Sequence, residues 1–190
     1  MLSTRNVILR DDAIEKKLDS LRVKILGFEL GKFEVGEMRD VYVPYSLMTY
    51  GFLIDRKTMF NRNGHLNRSG ELHFVFDYNE VHPFQYYTEE NGELDLIKVD
   101  EARSDRLILP SNATAREVQD KMEWHIQTKV LRRTYATGGK ITLKAEKKFY
   151  RAAVEIKIYY GANENIRYAY LDEYGVNSEH ILGLKYRISS

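Results

Sequence analysis

The stretch Lys148–Asp172, KFYRAAVEIKIYYGANENIRYAYLD, decides how this chain is read. Its even positions from Tyr150 to Tyr160 are Tyr150, Ala152, Val154, Ile156, Ile158 and Tyr160, and its odd positions include Arg151, Glu155 and Lys157. Successive side chains of an extended strand point to opposite faces, so the pattern predicts a strand with one buried face and one wet face. Gly161, Ala162, Asn163 and Glu164 interrupt it with turn-forming residues, and Ile166, Tyr168 and Tyr170 resume an apolar face on the return strand. A β-hairpin is expected here, within a protein built mainly of sheet.

Upstream of the hairpin, Lys140 to Lys147 reads as a further strand, preceded by Gly138 and Gly139. Before the glycines, Val118, Met122, Ile126 and Val130 recur every four residues, which places them on one face of a helix of about 18 residues. Thr114 and Glu117 have capping-box spacing at its start. Arg132 and Arg133 fall in its last turn, where cations complement the helix dipole. The acidic segment Tyr86 to Asp105, with a short strand around Leu94, Leu96, Ile97 and Val99, divides the chain into a first α+β half, residues 1–105, and a second, residues 106–190, within one compact body.

In the first half, Ile14, Leu18 and Leu21 follow Asp11 and Asp12 at helical spacing. Residues 22–39 read as two short strands or one bulged strand at Gly27 and Gly31. Val41 to Ile54 is apolar on both faces, as in a strand buried on two sides, yet Pro44 cannot donate to a ladder and pulls toward an edge or a bulge. Asn63-Gly64 is a strong hairpin signal, because both central residues of a type I′ turn need positive φ. Leu72, Phe74 and Phe76 then alternate on the returning strand, so residues 55–70 are expected to form a projecting β-hairpin arm. Ile181 to Ile188 supplies a final strand.

The two halves also align with each other. A shift of 108 places Ile14 on Met122, Leu18 on Ile126, Tyr42 on Tyr150, Met48 on Ile156 and Tyr50 on Ile158, and a shift of 94 pairs Leu72, Phe74 and Phe76 with Ile166, Tyr168 and Tyr170. The fold expected is α+β: a curved mixed or antiparallel sheet with two helices on one face, in a tandem α-β-β-β pseudo-repeat.

Composition narrows the chemistry. The chain is 190 residues long, 43% apolar and 30% charged, with three prolines and 14 tyrosines, a composition of ordered, sheet-rich proteins. It contains no cysteine, which excludes disulfides, thiolate catalysis and Cys-ligated zinc. Val7-Ile8-Leu9 between Arg5 and Arg10 is too short for a signal peptide or membrane span, so a cytoplasmic protein without membrane contact is expected. The net charge of +1 conceals an asymmetry: residues 1–110 hold 15 Lys+Arg against 19 Asp+Glu, and residues 111–190 hold 14 against 9.

His73 and Asp77, with Glu80 and His82 nearby, are chemically able to form a metal or acid–base site, but their spacing equally suits polar residues on the wet face of a strand. His125 and His180 are isolated, and Gly138-Gly139-Lys140 lacks the rest of a phosphate-binding loop. No cofactor or metal and no catalytic role are expected. The role expected is a non-catalytic binding or assembly module, meeting a protein partner or a second copy through Arg56, Lys57, Met59, Phe60, Arg62, Leu66 and Arg68 of the arm. The alternative is a nucleic-acid-binding protein using the basic segment 129–151, with Lys129, Arg132, Arg133, Lys140, Lys144, Lys147, Lys148 and Arg151 as phosphate contacts.

Overall fold

The computed structural model describes residues 1–4, 14–15, 18–19, 24–25, 28–29, 33–57, 65–86, 96–100, 104–160, 165–172 and 175–176. The strands are β1 (Leu2–Thr4), β2 (Lys24–Ile25), β3 (Phe28–Glu29), β4 (Phe33–Lys57), β5 (His65–Asp77), β6 (His82–Tyr86), β7 (Leu96–Lys98), β8 (Leu107–Ile108), β9 (Lys140–Tyr160), β10 (Asn165–Asp172) and β11 (Gly175–Val176). One continuous helix, α1, comprises an α-helical part Ala115–His125, a π-helical part Ile126–Leu131 and a last α-helical turn Arg132–Tyr135. Of the first expected helix, Ile14, Glu15, Leu18 and Asp19 are described, and they are helical. The expected strand Ile181 to Ile188 lies outside the described residues. The fold is α+β, dominated by a mixed sheet.

Two compact units divide the chain, and neither is a sequential half. Unit 1 takes Met1–Val43, Glu93–Leu109 and Tyr150–Ser190; unit 2 takes Pro44–Gly92 and Pro110–Phe149. Both long strands, β4 and β9, therefore contribute one end to each unit.

In unit 2 the strand order is β9-β4-β5-β6. Strands β4 and β5 pair antiparallel from Tyr45↔Asp77 to Lys57↔His65; the expected turn at Asn63-Gly64 lies outside the described residues. Helix α1 starts as its sequence dictates: Thr114 accepts from the Glu117 amide, and the Glu117 carboxylate accepts from Thr114 N–H in return. The hydrogen bonds from the Thr114 amide and hydroxyl, with the charge of Lys121, hold the Glu117 carboxyl below the ordinary range. Val118, Met122, Ile126 and Leu131 are buried against Met48, Tyr50, Ile54, Phe74 and Phe76. The fourth contact is Leu131 rather than the expected Val130, which is only partly buried, because the π-helical turn carries more residues per turn and delays the next inward position. Fully burying such side chains stabilises by about 1.5–3 kcal/mol each.

In unit 1 the order is β11-β10-β9-β4, with β1 also beside β9 and β8 beside β4. The expected hairpin is present, β9 and β10 pairing antiparallel from Val154↔Leu171 to Tyr160↔Asn165. Leu18, Ile156, Ile158, Ala169 and Leu171 form the core, with Ile14, Val35 and Val154 packed against it.

The predicted faces need correcting. Ile156 pairs with Ala169, so the inward residues of β10 are Ala169 and Leu171, while Ile166 and Tyr168 are 54% and 45% exposed. A one-residue change of register moves every side chain to the other face. The odd positions of β9 are also not wet here: Arg151, Ala153 and Glu155 are buried. Arg151 donates to the Tyr170 carbonyl, Glu155 pairs with Arg39, and the Arg106 guanidinium covers the strand by donating to the Ala153 carbonyl. The Arg39 guanidinium is held above its ordinary range by the hydrogen bond and charge of Glu155.

Pro44 falls where β4 changes neighbour. Strand β8 pairs with Val41 and Tyr42, and β5 takes over at Tyr45. Its carbonyl still accepts from the Tyr78 amide at this junction.

Candidate partner-binding surface

Strand β9 enters unit 2 through a clamp at the end of α1. Ala136 adopts the left-handed conformation, at φ 56°, and its amide donates to the Arg132 carbonyl, closing the helix. The Gln127 side chain then holds Gly139 twice, Nε2 donating to its carbonyl at 2.6 Å and Oε1 accepting from its amide at 3.0 Å. A Cβ on Gly139 would stand 2.8 Å from the Leu53 carbonyl oxygen, so glycine is required for the chain to lie this close to β4. The clamp fixes the position from which Lys140 and the rest of the strand depart.

Beyond it, Lys140 and every residue from Thr142 to Lys148 are exposed, and Ile141 alone is half-buried, against the helix-covered core. Contacts to β4 run in opposite chain directions, Gly139 against Leu53, Lys144 over Gly51, Glu146 to Ser46 and Phe149 stacked on Tyr45, so the two strands are antiparallel. On its other side β9 meets β1 only at Tyr150 and β10 only from Val154. Among the described residues, no strand pairs with Lys140–Lys148 on the side away from β4.

Charge on this edge is predominantly positive. Glu146 is the single acidic residue between Glu123 and Glu155 in the sequence, and its carboxylate is turned onto unit 2's own hydroxyls. Ser46 Oγ and Tyr78 OH donate to Glu146 Oε1 at 2.8 and 2.9 Å. Burial pushes the Tyr78 phenol up to about 12, and the hydrogen bond to Glu146 adds to the rise. Lys140, Lys144, Lys147 and Lys148 remain as the outward charges of the strand. Lys129, Arg132 and Arg133 are exposed on the last turns of α1, where Lys129 lies 5.3 Å from the ring centre of Trp124, itself 57% exposed.

The arm residues meet the same end of unit 2. Arg56 donates to Thr137 Oγ1 at 2.9 Å, just past the helix, and Phe52 packs its ring on Tyr135. Arg68 is exposed opposite Ile54, whose side chain borders Gly139. Arg56 is thus joined to the segment just past the helix end that carries Arg132 and Arg133, and Arg68 lies opposite the β4 residue that Gly139 approaches. Leu66 packs against the helix-covered core and is not an exposed contact. Lys57 is the last residue of β4. Met59, Phe60 and Arg62 lie outside the described residues. Arg151 belongs to unit 1 and is 1% exposed, so it offers nothing to a phosphate.

The polar pair read from sequence is not assembled as a site. Asp77 is buried, accepts from Tyr45 OH at 2.8 Å, and caps the following turn by accepting from the amides of Asn79 and Glu80. His73 Nδ1 instead lies 3.0 Å from Thr49 Oγ1. His82 and His125 have ring centres 6.4 Å apart, and burial, with the charge of His82 second, pulls the His125 imidazole below its ordinary range. Among the described residues, no three His, Cys, Asp or Glu side chains form a metal-holding group. No helix of the described residues is long and apolar enough to cross a membrane.

Sequence reasoning found the lysines but missed the Gln127 clamp, whose signal was the pair Gly138-Gly139. No family model matches this chain, and comparison with curated proteins and with solved structures returned no match.

Proposed function

We propose that this chain is a non-catalytic binding module that captures an acidic protein partner on the cationic end of unit 2. The observation that carries the reading is the predominantly cationic edge of β9. Lys140, Lys144, Lys147 and Lys148 face outward while Glu146 is held by Ser46 and Tyr78, and Arg56, Arg132 and Arg133 extend the same charge around the helix end. Such a surface raises the encounter rate with an acidic partner and makes its binding salt-sensitive.

The test is fluorescence anisotropy of labelled oligoglutamate and oligothymidylate with the intact chain and with a Lys140→Glu, Lys144→Glu, Lys147→Glu, Lys148→Glu variant. Capture of the acidic peptide that the variant abolishes supports the reading, and absence of binding to the peptide at about 50 mM salt, where the Debye length is still above 10 Å, sinks it. Nucleic acid is the second reading, favoured by the absence of any acid in the sequence between Glu123 and Glu146 and by the exposed ring of Trp124 beside Lys129. Binding of oligothymidylate alone, weakening steeply with salt, would select it.

The proposal includes a duplicated fold. Met48 and Tyr50 in one core correspond to Ile156 and Ile158 in the other at a shift of 108, as do Met122 and Ile126 to Ile14 and Leu18. Strand β8 lies parallel beside Tyr42 and β1 parallel beside Tyr150, and the two tyrosine rings meet edge to face in unit 1. The second shift becomes 95 rather than 94, because Phe74 pairs with Met48 as Ala169 pairs with Ile156. In each unit the helical residues come from one half of the sequence and most of the strands they cover come from the other.

A further inference from the structure

We infer that the edge of β9 from Lys140 to Lys148, which no strand covers among the described residues, accepts an extended acidic segment of the protein partner as an added strand. This rests on the reading of unit 2 as a surface for an acidic partner and names how that partner is held.

In an antiparallel pair, alternate residues direct both N–H and C=O toward the neighbouring strand and the residues between direct theirs away. Since β4 occupies one side of β9 and, among the described residues, no strand lies on the other, every second residue of Lys140–Lys148 directs a backbone donor and acceptor away from β4. An added strand satisfies these groups, and its alternate side chains read the flanking surface. The edge is long enough to be read: at about 3.3 Å per residue it spans roughly 30 Å.

It is also tied in place before any partner arrives. The Gln127 clamp on Gly139 fixes one end and the Tyr45–Phe149 stack, at 5.7 Å between ring centres, fixes the other. Between them Glu146 is tied to Ser46 and Tyr78, and the Lys144 stem lies across Gly51, where a Cβ would meet Lys144 Cε at 2.7 Å. Ordering costs are thereby removed from the binding step.

Charge selects the occupant. Pairing of this edge with the same edge of a second copy would set lysines against lysines, and like charges across a strand pair are destabilising. A strand carrying Asp or Glu opposite Lys144 and Lys148, which share one face of β9, converts that repulsion into attraction. Leu143, 47% exposed, supplies an apolar contact for a Val or Ile of the same segment.

The experiment uses a labelled peptide of about ten residues alternating Glu and Val, a length that covers the edge, with two backbone N-methylated versions. One is methylated on the odd residues and the other on the even. Strand addition predicts that one set weakens binding about tenfold or more, because its amides face the edge, while the other set binds like the parent. A Lys-for-Glu version of the peptide should not bind. Equal behaviour of the two methylated sets, in either direction, overturns strand addition while leaving capture of acidic partners by charge standing. No binding of the parent peptide overturns the inference and the protein-partner reading together, and oligothymidylate binding in that case identifies nucleic acid as the occupant.

Discussion

From Arg151 to Ile158, β9 is buried almost throughout; from Thr142 to Lys148, the same strand is exposed throughout. The buried half carries an Arg and a Glu, each satisfied by a partner in unit 1, and the exposed half carries four lysines and a glutamate turned inward. Charged residues occur in both halves, so charge alone does not separate core from surface. What separates them is whether the head group has a fixed partner. A buried unpaired charge is too costly to persist, while an exposed lysine on a sheet edge deters unwanted pairing at little cost.

The largest predicted effect tests the buried half. Arg151→Ala removes a buried hydrogen bond to the Tyr170 carbonyl and opens a cavity, and should destabilise the fold by about 3 kcal/mol, read as a shift in the urea midpoint. Lys147→Ala in the exposed half should change it by less than about 0.5 kcal/mol. Equal losses would remove the distinction between the halves.

Thr114→Ala removes the capping box that starts α1, the helix covering the unit to which the exposed half belongs. A loss of about 1 kcal/mol is expected by thermal or urea unfolding. At the other end of the helix, Ala136→Gly relieves a left-handed non-glycine residue and should add up to about 1 kcal/mol, since Gly adopts this conformation freely. A loss instead would mean that the Ala136 methyl group contributes packing.

A smaller effect reports on the inward turn of Glu146. The Tyr78 phenol is raised above its unfolded value of about 10, so the folded state favours the protonated form. Its contribution to stability is complete below about pH 10 and lost as pH rises to about 12. Tyr78→Phe should flatten the fall in stability over this window. Glu146→Gln should bring Tyr78 ionisation to lower pH in an absorbance titration taken as the difference from Tyr78→Phe. An unmoved titration would show that the carboxylate does not face Tyr78 in solution.

These regions were legible in the sequence to different degrees. The β9–β10 hairpin, the capped start of α1 and the strands on either side of Asn63-Gly64 follow from local chemistry: alternation, a Thr-x-x-Glu spacing and turn residues. Which face of a strand is covered does not follow locally. Arg151 and Glu155 read as wet because nothing near them in sequence shows that Tyr170 and Arg39 complete them. Leu131 displaced Val130 because a π-helical turn leaves no mark in an i, i+4 pattern. The interleaved units were hidden for the same reason, since periodicity identifies a helix but not the strands it covers. At the candidate surface the lysines were readable, whereas their union with Arg56 depends on the Thr137 contact and the Gln127 clamp.

The central claim, that among the described residues β9 is an edge in unit 2 and an enclosed strand in unit 1, is tested most directly by residue-resolved amide hydrogen exchange. Amides from Arg151 to Ile158 should be protected in succession. Amides from Lys140 to Lys148 should alternate, those facing β4 slow and those between them fast, with the fast set slowing when the Glu-Val peptide is added. Uniform protection of Lys140–Lys148 in the free protein would contradict the account, because it would show that the edge is already covered.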